Sequence, residues 1–470
     1  MRIYFLGIAG AAMGNAALLL RNLGHEVLGS DKAVYPPMSD KLAEAKIELL
    51  EGYDANRLQA LSPDLVIVGN AFSRGNEEIE FLLSSKKTSF TSLPEAMNRF
   101  VLSNRRNLVV TGTHGKTTTT ALAAYLLEKA GANPGYLIGG APMDPESGWN
   151  AGVSEGLFVI EGDEYDSAFF DKRSKFIHYS PTVAVVNNLE FDHADIFRDL
   201  EDVKRSFRHF CRIIPGNGHL LINGDDENAL SLLPASWTRV YTVGEGEHCD
   251  LRIEQYKTTP AGSRFDLSWS GKPWLTVDWG MVGKFNARNA AMACLGAALI
   301  LDPESDPGSF EAAGIDSFRG VARRQQVKLD TKPLVVVEDF AHHPTAIREI
   351  LESFRARFPG RKLVAAFEPR SNTSRLEIMR ERLGEALSVA DTVVIGVARQ
   401  ANSEGVSLLD TEDLASDLQN RGIEANAARS NEDALKVLRE RCQSGDDDQT
   451  VVFLTNGSFD GIIDRFVEER

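Results

Sequence analysis

The run Thr111-Gly112-Thr113-His114-Gly115-Lys116-Thr117-Thr118 has the composition of a phosphate cradle. Its glycines let backbone N–H groups converge on oxygen, Lys116 supplies a point charge, and the Thr117 hydroxyl is a ligand for a divalent cation. The run lies between an apolar strand expected at 108–110 and a helix expected at 117–130, with Gly131 past its end. In that context the helix N-terminus adds positive potential. The strict nucleotide loop would place glycine at position 110, where this chain has Val110, so the loop is a shortened variant. The competing reading is a glycine turn with a surface lysine.

A nucleotide loop needs ligands for its cation. Glu161 follows a strand expected at 157–160 and opens the quartet Glu161-Gly162-Asp163-Glu164. His193 closes Asn187-Asn188-Leu189-Glu190-Phe191-Asp192-His193, after a strand expected at 183–186. In a doubly wound sheet the C-terminal strand ends share one crevice, so both groups can converge on the loop. Carboxylate on Mg²⁺ is ordinary chemistry and histidine less so; a structural histidine is the alternative.

A second small-residue turn, Gly7-Ile8-Ala9-Gly10-Ala11-Ala12-Met13-Gly14, follows a strand at 3–6 and opens a helix expected at 16–23. Its spacing is not that of nicotinamide enzymes, yet a strand–turn–helix can hold a pyrophosphate. Asp31 ends the next strand, about twenty residues on, and suits a ribose hydroxyl, with loop capping as the alternative.

These groups are positioned by three α/β segments, at 1–104, 105–316 and 317–470, each opening on a short apolar strand. Alternating strands and helices imply parallel, doubly wound sheets: a Rossmann-like first domain, a central ATPase-type domain and a Rossmann-like last domain. Between 251 and 279 the pattern becomes alternating, with a Gly271-Lys272-Pro273 turn, which predicts a β-hairpin appended to the central domain. The tryptophans there suit packing rather than binding. In the last segment strands are expected at 334–337, 363–367, 392–395 and 451–454. Ile347, Ile350, Leu351 and Phe354 share one helical face after Pro344. The Asp-rich stretch at 444–448 reads as a solvated loop.

The 470 residues suffice for about three domains. With 43% hydrophobic and 25% charged residues, the chain is of the globular class. A net charge of −16 argues against nucleic acid or anionic membrane as partner, while leaving room for anionic small molecules. Nothing approaches the roughly 18 apolar residues of a membrane span. Cys211, Cys249, Cys294 and Cys442 are far apart with no CxxC pair, so disulfide and structural zinc are not expected and a cytoplasmic location is.

Taken in order, the motifs resemble those of the Mur ligase family, ATP-dependent enzymes that join amino acids or peptides to UDP-N-acetylmuramate. The turn at 7–14 resembles the family's UDP-binding loop, and 112–118 its ATP loop. Asn188-Leu189-Glu190-Phe191-Asp192-His193 resembles its metal motif, and Gly283-Lys284-Phe285-Asn286-Ala287-Arg288-Asn289-Ala290 its adenine-proximal segment. Phe318-Arg319-Gly320-Val321-Ala322-Arg323-Arg324 and Glu338-Asp339-Phe340-Ala341-His342-His343-Pro344 resemble the start of its last domain.

The resemblance is strongest to two members that use free UDP-N-acetylmuramate. One adds L-alanine; the other, a recycling enzyme, adds L-alanyl-γ-D-glutamyl-meso-diaminopimelate. Val34-Tyr35-Pro36-Pro37-Met38-Ser39, the stretch at 164–176 and Phe367-Glu368-Pro369-Arg370-Ser371-Asn372-Thr373 favour the second. Arg370-Ser371-Asn372 stands where the alanine-adding members carry a His-Arg-Tyr type of sequence. Phe285 stands where they carry histidine. Lys204, the only lysine between His193 and Asn223, has the wrong spacing for the carbamoylated lysine of several relatives, so no carbamate is assigned.

The resemblance implies roles. Gly112, Thr113, His114, Gly115, Lys116, Thr117 and Thr118 hold ATP, with Asn286 and Asn289 near adenine. Arg324 and Asp339 reach the nucleotide from the third domain, with a hinge salt bridge as alternative. Thr117 and Glu161 take one Mg²⁺ and His193 a second. Gly7, Ala9, Gly10, Ala11, Ala12, Met13, Asp31, Asn70 and Ser73 serve the UDP-sugar, with loop capping open for Asp31, Asn70 and Ser73. His342, His343, Arg370, Asn372, Thr373 and Asn456 face the acceptor, the two histidines having helix capping as alternative. Lys116, His193 and His342 are the catalytic candidates, His342 as a base. A monomer or weak homodimer acting on UDP-N-acetylmuramate and the murein tripeptide is the expected form. A nicotinamide oxidoreductase leaves the Gly-Lys-Thr loop unexplained, whereas a motion-coupled P-loop ATPase would turn over ATP without a muramyl nucleotide.

Overall fold

The structure is a computed structural model that describes residues 1–32, 38–398, 407–443 and 448–470. Positions 33–37, with Val34-Tyr35-Pro36-Pro37 of the motif that runs to Ser39, and positions 444–447 of the Asp-rich stretch lie outside the described residues.

Among the described residues the first sheet has strands β1 (Arg2–Leu6), β2 (Glu26–Asp31), β3 (Glu48–Glu51), β4 (Leu65–Val68) and β5 (Ser89–Ser92), in the order β3-β2-β1-β4-β5 and all parallel. The central sheet begins with β6 (Arg106–Thr111), β7 (Gly135–Leu137), β8 (Trp149–Asn150) and β9 (Leu157–Glu161). A small antiparallel pair, β10 (Asp166–Ala168) and β11 (Asp171–Ser174), stands apart. The central sheet continues with β12 (Val183–Val186), β13 (His219–Asn223), β14 (Arg239–Gly244), β15 (Leu251–Thr259), β16 (Gly262–Trp269) and β17 (Lys272–Trp279). Its order is β17-β16-β15-β14-β13-β12-β6-β9-β7-β8. The last sheet has β18 (Gln326–Asp330), β19 (Leu334–Asp339), β20 (Lys362–Phe367), β21 (Thr392–Ile395), β22 (Glu424–Ala427) and β23 (Gln449–Leu454), ordered β18-β19-β23-β20-β21-β22, with only β18 antiparallel.

The apolar strand runs are explained by burial on both faces. In β6, Val109 belongs to one core and Leu108 and Val110 to another. Ile160 and Val186 side with Val109, while Val159 and Val185 side with Val110. The first of these cores also holds Ile3, Phe5 and Leu19, so the first and central domains share apolar contacts. On the other face lie the helices Lys116–Lys129 and Lys284–Leu301, the latter apolar almost all round, as a helix enclosed in a core must be.

Strands at 65–68, 183–186 and 392–395 have the bounds that periodicity implies. The helix after the first turn, Ala11–Asn22, starts earlier than expected, because Ala11 and Ala12 are strong helix formers. The hairpin is present as β16 and β17, but β15 pairs antiparallel with β16 and parallel with β14, so a three-stranded meander extends the central sheet. The indole N–H of Trp279 donates to Ser263 Oγ at 3.0 Å and that of Trp274 to the Phe310 carbonyl at 2.8 Å, both packing roles. Ile347, Ile350, Leu351 and Phe354 form the buried face of the helix Pro344–Arg357.

Candidate active site

The phosphate loop leaves β6 and enters the helix Lys116–Lys129 through Gly115, with no side chain capping that helix among the described residues. Gly112 has φ +136° and Gly115 φ +83°, both in the left-handed region. A Cβ on Gly115 would lie 2.4 Å from Asn289 Oδ1 and 2.5 Å from Asn187 Nδ2. Glycine is therefore required by conformation and by close approach.

A buried amide chain supports the loop from below. Asn187 Nδ2 donates to Asn289 Oδ1 at 2.6 Å, Asn289 Nδ2 to Asn286 Oδ1 at 3.1 Å, and Asn286 Nδ2 to the Val282 carbonyl at 2.9 Å. Asn188 closes the other side: its Oδ1 accepts the His114 N–H at 2.7 Å and its Nδ2 donates to the His114 carbonyl at 3.1 Å. Asn286 and Asn289 line the cavity above, but much of their hydrogen-bonding capacity is spent on the loop.

Lys116 donates to Glu164 Oε2 at 2.8 Å and to the Gly112 carbonyl at 2.7 Å. The other oxygen of Glu164 lies 3.1 Å from His193 Nε2. The loop lysine and the strand-end histidine thus share one carboxylate. Burial opposes the Lys116 charge, yet Glu164 and Asp163 outweigh it and hold the ammonium pKa above its ordinary value. His193 behaves alike: burial lowers its pKa, and Glu164 more than reverses that. Asp163 binds Lys175 at 2.5 Å; burial works against its charge, and Lys175 and Lys116 hold its carboxyl well below the usual range.

Thr117 Oγ1 lies 3.2 Å from Glu161 Oε2, and Glu161 Oε1 accepts the Gly139 N–H at 2.7 Å. Burial pushes the Glu161 carboxyl up, only partly offset by the Gly139 N–H and Lys116. An oxygen-seeking divalent cation fits this set: a hydroxyl and a desolvated carboxylate side by side, with a second carboxylate, Glu164, one strand-turn away. Sequence motifs assign no role to Glu164 or Lys175, although Glu164 lies in the quartet opened by Glu161.

A cavity of about 620 Å³ covers these groups and is walled by three domains. Ala11, Ala12 and Asn15 border it from the first domain, the phosphate loop, Glu161 and His193 from the central one, and Arg324, Asp339, His342 and His343 from the third. The Arg324 guanidinium stacks 4.6 Å from the Phe340 ring centre. Asp339 accepts the N–H groups of Gln325 and Ala341, both at 2.7 Å, so it shapes the hinge turn beside the nucleotide loop. His342 Nε2 lies 3.8 Å from Asp192 Oδ2. His343 occupies the N-cap position of the helix Pro344–Arg357 without capping it; its Nε2 meets the Phe191 carbonyl at 3.2 Å.

Other expected residues stand outside this cavity's walls. Asp31 Oδ2 accepts the Ala9 N–H at 2.9 Å, closing the Gly7–Gly14 turn. Asn70 and Ser73 are exposed beyond β4. Gly7, Ala9 and Gly10 form the turn before Ala11 and Ala12, and Met13 is buried in the helix that follows. The third domain's strand-end residues meet the loop after His193: Asn372 Nδ2 donates to Asp195 Oδ2 at 2.8 Å and Thr373 Oγ1 accepts the Ala194 N–H at 3.4 Å. Arg370 lies over Gly457, with Nη1 3.9 Å from Glu368 Oε1, while the neighbouring Asn456 has a buried Oδ1 with no hydrogen-bond partner among the described residues.

Glu349, on the helix Pro344–Arg357, also lines the cavity. Burial pushes its carboxyl up to about 7, against the pull of Arg288. An acid with a raised folded pKa adds stability that is complete below its unfolded value, near 4.3, and lost as pH rises through about 7. Glu349→Gln is therefore expected to melt higher than the parent at pH 8, by on the order of 1–2 kcal/mol after discounting for cavity water, and to match it only below about pH 4. Parallel melting curves across that range would show whether the gap opens with pH.

Three family models match in order: the "Mur ligase family, catalytic domain" over residues 2–104, the "Mur ligase middle domain" over 110–297 and the "Mur ligase, glutamate ligase domain" over 323–457. The chain is 43% identical over 397 residues to the UDP-N-acetylmuramate–L-alanyl-γ-D-glutamyl-meso-2,6-diaminoheptandioate ligase of Escherichia coli, covering 84% of each chain. It is 37% identical to the enzyme of that name from Haemophilus influenzae, over 99% of this chain and 98% of that one. The crystal structure of a murein peptide ligase from Psychrobacter arcticus superposes with a TM-score of 0.70 at 34% identity, covering 100% of this chain and 98% of that one.

Proposed function

The chain belongs to the Mur ligase family, and on that premise we propose that it joins the lactyl carboxylate of UDP-N-acetylmuramate to the amine of L-alanyl-γ-D-glutamyl-meso-diaminopimelate. It is an ATP-dependent ligase that forms a C–N bond, and ADP and phosphate are the other products. The observation that carries the reading is the placement of Lys116 and His193 on the two oxygens of Glu164, beneath a cavity walled by all three domains. The closeness to the tripeptide-adding relatives and the Arg370-Ser371-Asn372 stretch support that acceptor over L-alanine.

Carboxylate and amine do not condense usefully in water, so the carboxylate is first activated as an acyl phosphate, which the amine then attacks. Catalysis is chiefly positioning and charge neutralisation. Lys116 exchanges Glu164 and the Gly112 carbonyl for the β- and γ-phosphate oxygens, while the uncapped N–H groups from Gly115 to Thr118 cradle the rest. Arg324 and Asp339 complete the nucleotide site from the third domain, with Asn286 and Asn289 towards adenine. Thr117, Glu161 and His193 would hold Mg²⁺, which when bound neutralises charge developing on the transferring phosphoryl group.

The turn at 7–14, braced by Asp31, presents the sugar nucleotide's diphosphate to the start of the helix Ala11–Asn22, with Asn70 and Ser73 at the rim. That end of the cavity receives the lactyl carboxylate. The acceptor enters from Arg370, Asn372, Thr373 and Asn456, and His342 Nε2 takes the amine proton. Asp192 would balance the resulting imidazolium: burial opposes its charge, but His342 and His193 hold its carboxyl well below the usual range. Domains at 1–104, 105–316 and 317–470, acting as a monomer or weak homodimer in cytoplasmic peptidoglycan recycling, complete the reading.

The test is an ATP-dependent assay with UDP-N-acetylmuramate, offering tripeptide and L-alanine side by side. Tripeptide is expected to be consumed at the higher kcat/KM; a preference for L-alanine would reassign the enzyme to the alanine-adding step. Arg370→Ala is expected to raise KM for tripeptide roughly 10–100-fold with KM for ATP unchanged, as loss of a charged contact to one substrate should. Equal effects on both would remove Arg370 from the acceptor pocket.

A further inference from the structure

We propose that His114, Glu190 and His343 form a second, separate binding site for a borderline divalent cation of the zinc class, bridging the central and third domains. One ligand atom from each lies within 4.8 Å of the others. Glu190 Oε1 is 3.8 Å from His114 Nε2, and Glu190 Oε2 is 3.5 Å from His343 Nδ1. The two imidazole rings sit 4.8 Å apart. Around an ion with bonds of 2.0–2.1 Å, tetrahedral ligands stand roughly 3.3 Å apart, so modest side-chain movement closes the set.

The hydrogen bonding points the same way. The Phe191 carbonyl can only accept, so His343 Nε2 must carry the proton. The opposite nitrogen, Nδ1, is then a bare lone pair aimed at a carboxylate oxygen, two acceptors face to face. His343 is 1% exposed, and neither its Nδ1 nor His114 Nε2 has a hydrogen-bond partner among the described residues. A buried imidazole lone pair set against a carboxylate oxygen calls for a proton or a metal ion between them. Burial works against the proton at both histidines, since it pulls both imidazole pKa values down.

Glu190 is held in place independently. Its N–H donates to Thr113 Oγ1 at 2.9 Å, its Oε2 accepts from Thr345 Oγ1 at 2.7 Å, and Arg382 Nη2 approaches that oxygen at 3.5 Å. Two imidazoles and one carboxylate suit zinc-class ions, whereas Mg²⁺ prefers oxygen alone. Two ligands belong to the phosphate loop and the strand-end loop, and the third opens a helix of the third domain. Occupancy therefore favours this arrangement of the two domains over any in which they part. The inference does not depend on which acceptor the enzyme uses.

The probe is Zn²⁺ itself, titrated into the full-length protein by calorimetry with Mg²⁺ in large excess, followed by Co²⁺ absorption in the visible. One Zn²⁺ per chain is expected, with a raised melting temperature. Glu190→Gln and His343→Gln, each checked for fold by circular dichroism, should each weaken it roughly 100-fold. His193→Ala, which removes a residue of the Mg²⁺ set and none of these three ligands, should leave Zn²⁺ affinity within about threefold. Zn²⁺ bound no more tightly by the parent than by both glutamine variants would overturn the site. So would affinity lost in His193→Ala, or Zn²⁺ displaced by Mg²⁺. If one glutamine variant fails to fold, the other decides.

Discussion

Lys116→Ala is expected to lower product formation by about 10³-fold or more, because it removes the only lysine on the phosphate loop and its charge is needed most as the γ-phosphoryl group transfers. The structure adds a complication that the motif does not contain. Lys116 pairs with Glu164, a carboxylate only 3% exposed, so its removal leaves that charge supported, among the described residues, by His193 alone. Removing one partner of a buried pair is costly, and the variant should lose about 2–3 kcal/mol of stability as well. The double variant Lys116→Ala/Glu164→Gln separates the two roles. It should regain most of the lost melting temperature, because no unpaired buried carboxylate remains, while activity stays absent. Turnover within tenfold of the parent in the folded single variant would mean that the phosphates are held elsewhere.

Gly115→Ala is expected to reduce kcat/KM for ATP by about 100-fold or more while leaving affinity for the sugar nucleotide intact. A side chain at φ +83° is strained, and its Cβ would sit 2.4 Å from Asn289 Oδ1 and 2.5 Å from Asn187 Nδ2. Those amides belong to the chain that supports the loop, so the loop must shift or the Asn187–Asn289 bond must open. Gly131, past the end of the same helix, is the internal control. It has φ +77°, and a Cβ added there would meet no described atom within 4 Å, so Gly131→Ala should show only the backbone penalty, about 1 kcal/mol, with normal turnover. Matching kinetics for the two variants would show that the close approach at Gly115 is unimportant.

The phosphate loop is readable in the sequence because everything it needs is contiguous. A buried strand, two glycines, lysine, threonine and an uncapped helix follow one another between Arg106 and Lys129. The strands are readable for a related reason: a sheet covered on both faces demands an unbroken apolar run, as at Leu65–Val68 and Val183–Val186. The family motifs extend this to Glu161 and His193, whose strand ends the parallel order carries to the same edge as the loop.

What only the tertiary structure decided is which side chains meet across that edge. Periodicity tells which face of an element is buried, and nothing in it says which distant residue stands opposite. β9 runs beside β6, which brings Glu164 to Lys116; β12 on the other flank brings His193 to the same carboxylate. The helix Lys284–Leu301 crosses beneath, and so Asn289 braces the loop through Asn187. Asp31 turned back onto the Ala9 N–H, a capping role that its position at a strand end left open. The chain's chemistry could be read from local runs because backbone conformation is set by neighbours; the partners of each charge were set by sheet order and domain packing, which act over a hundred residues at once.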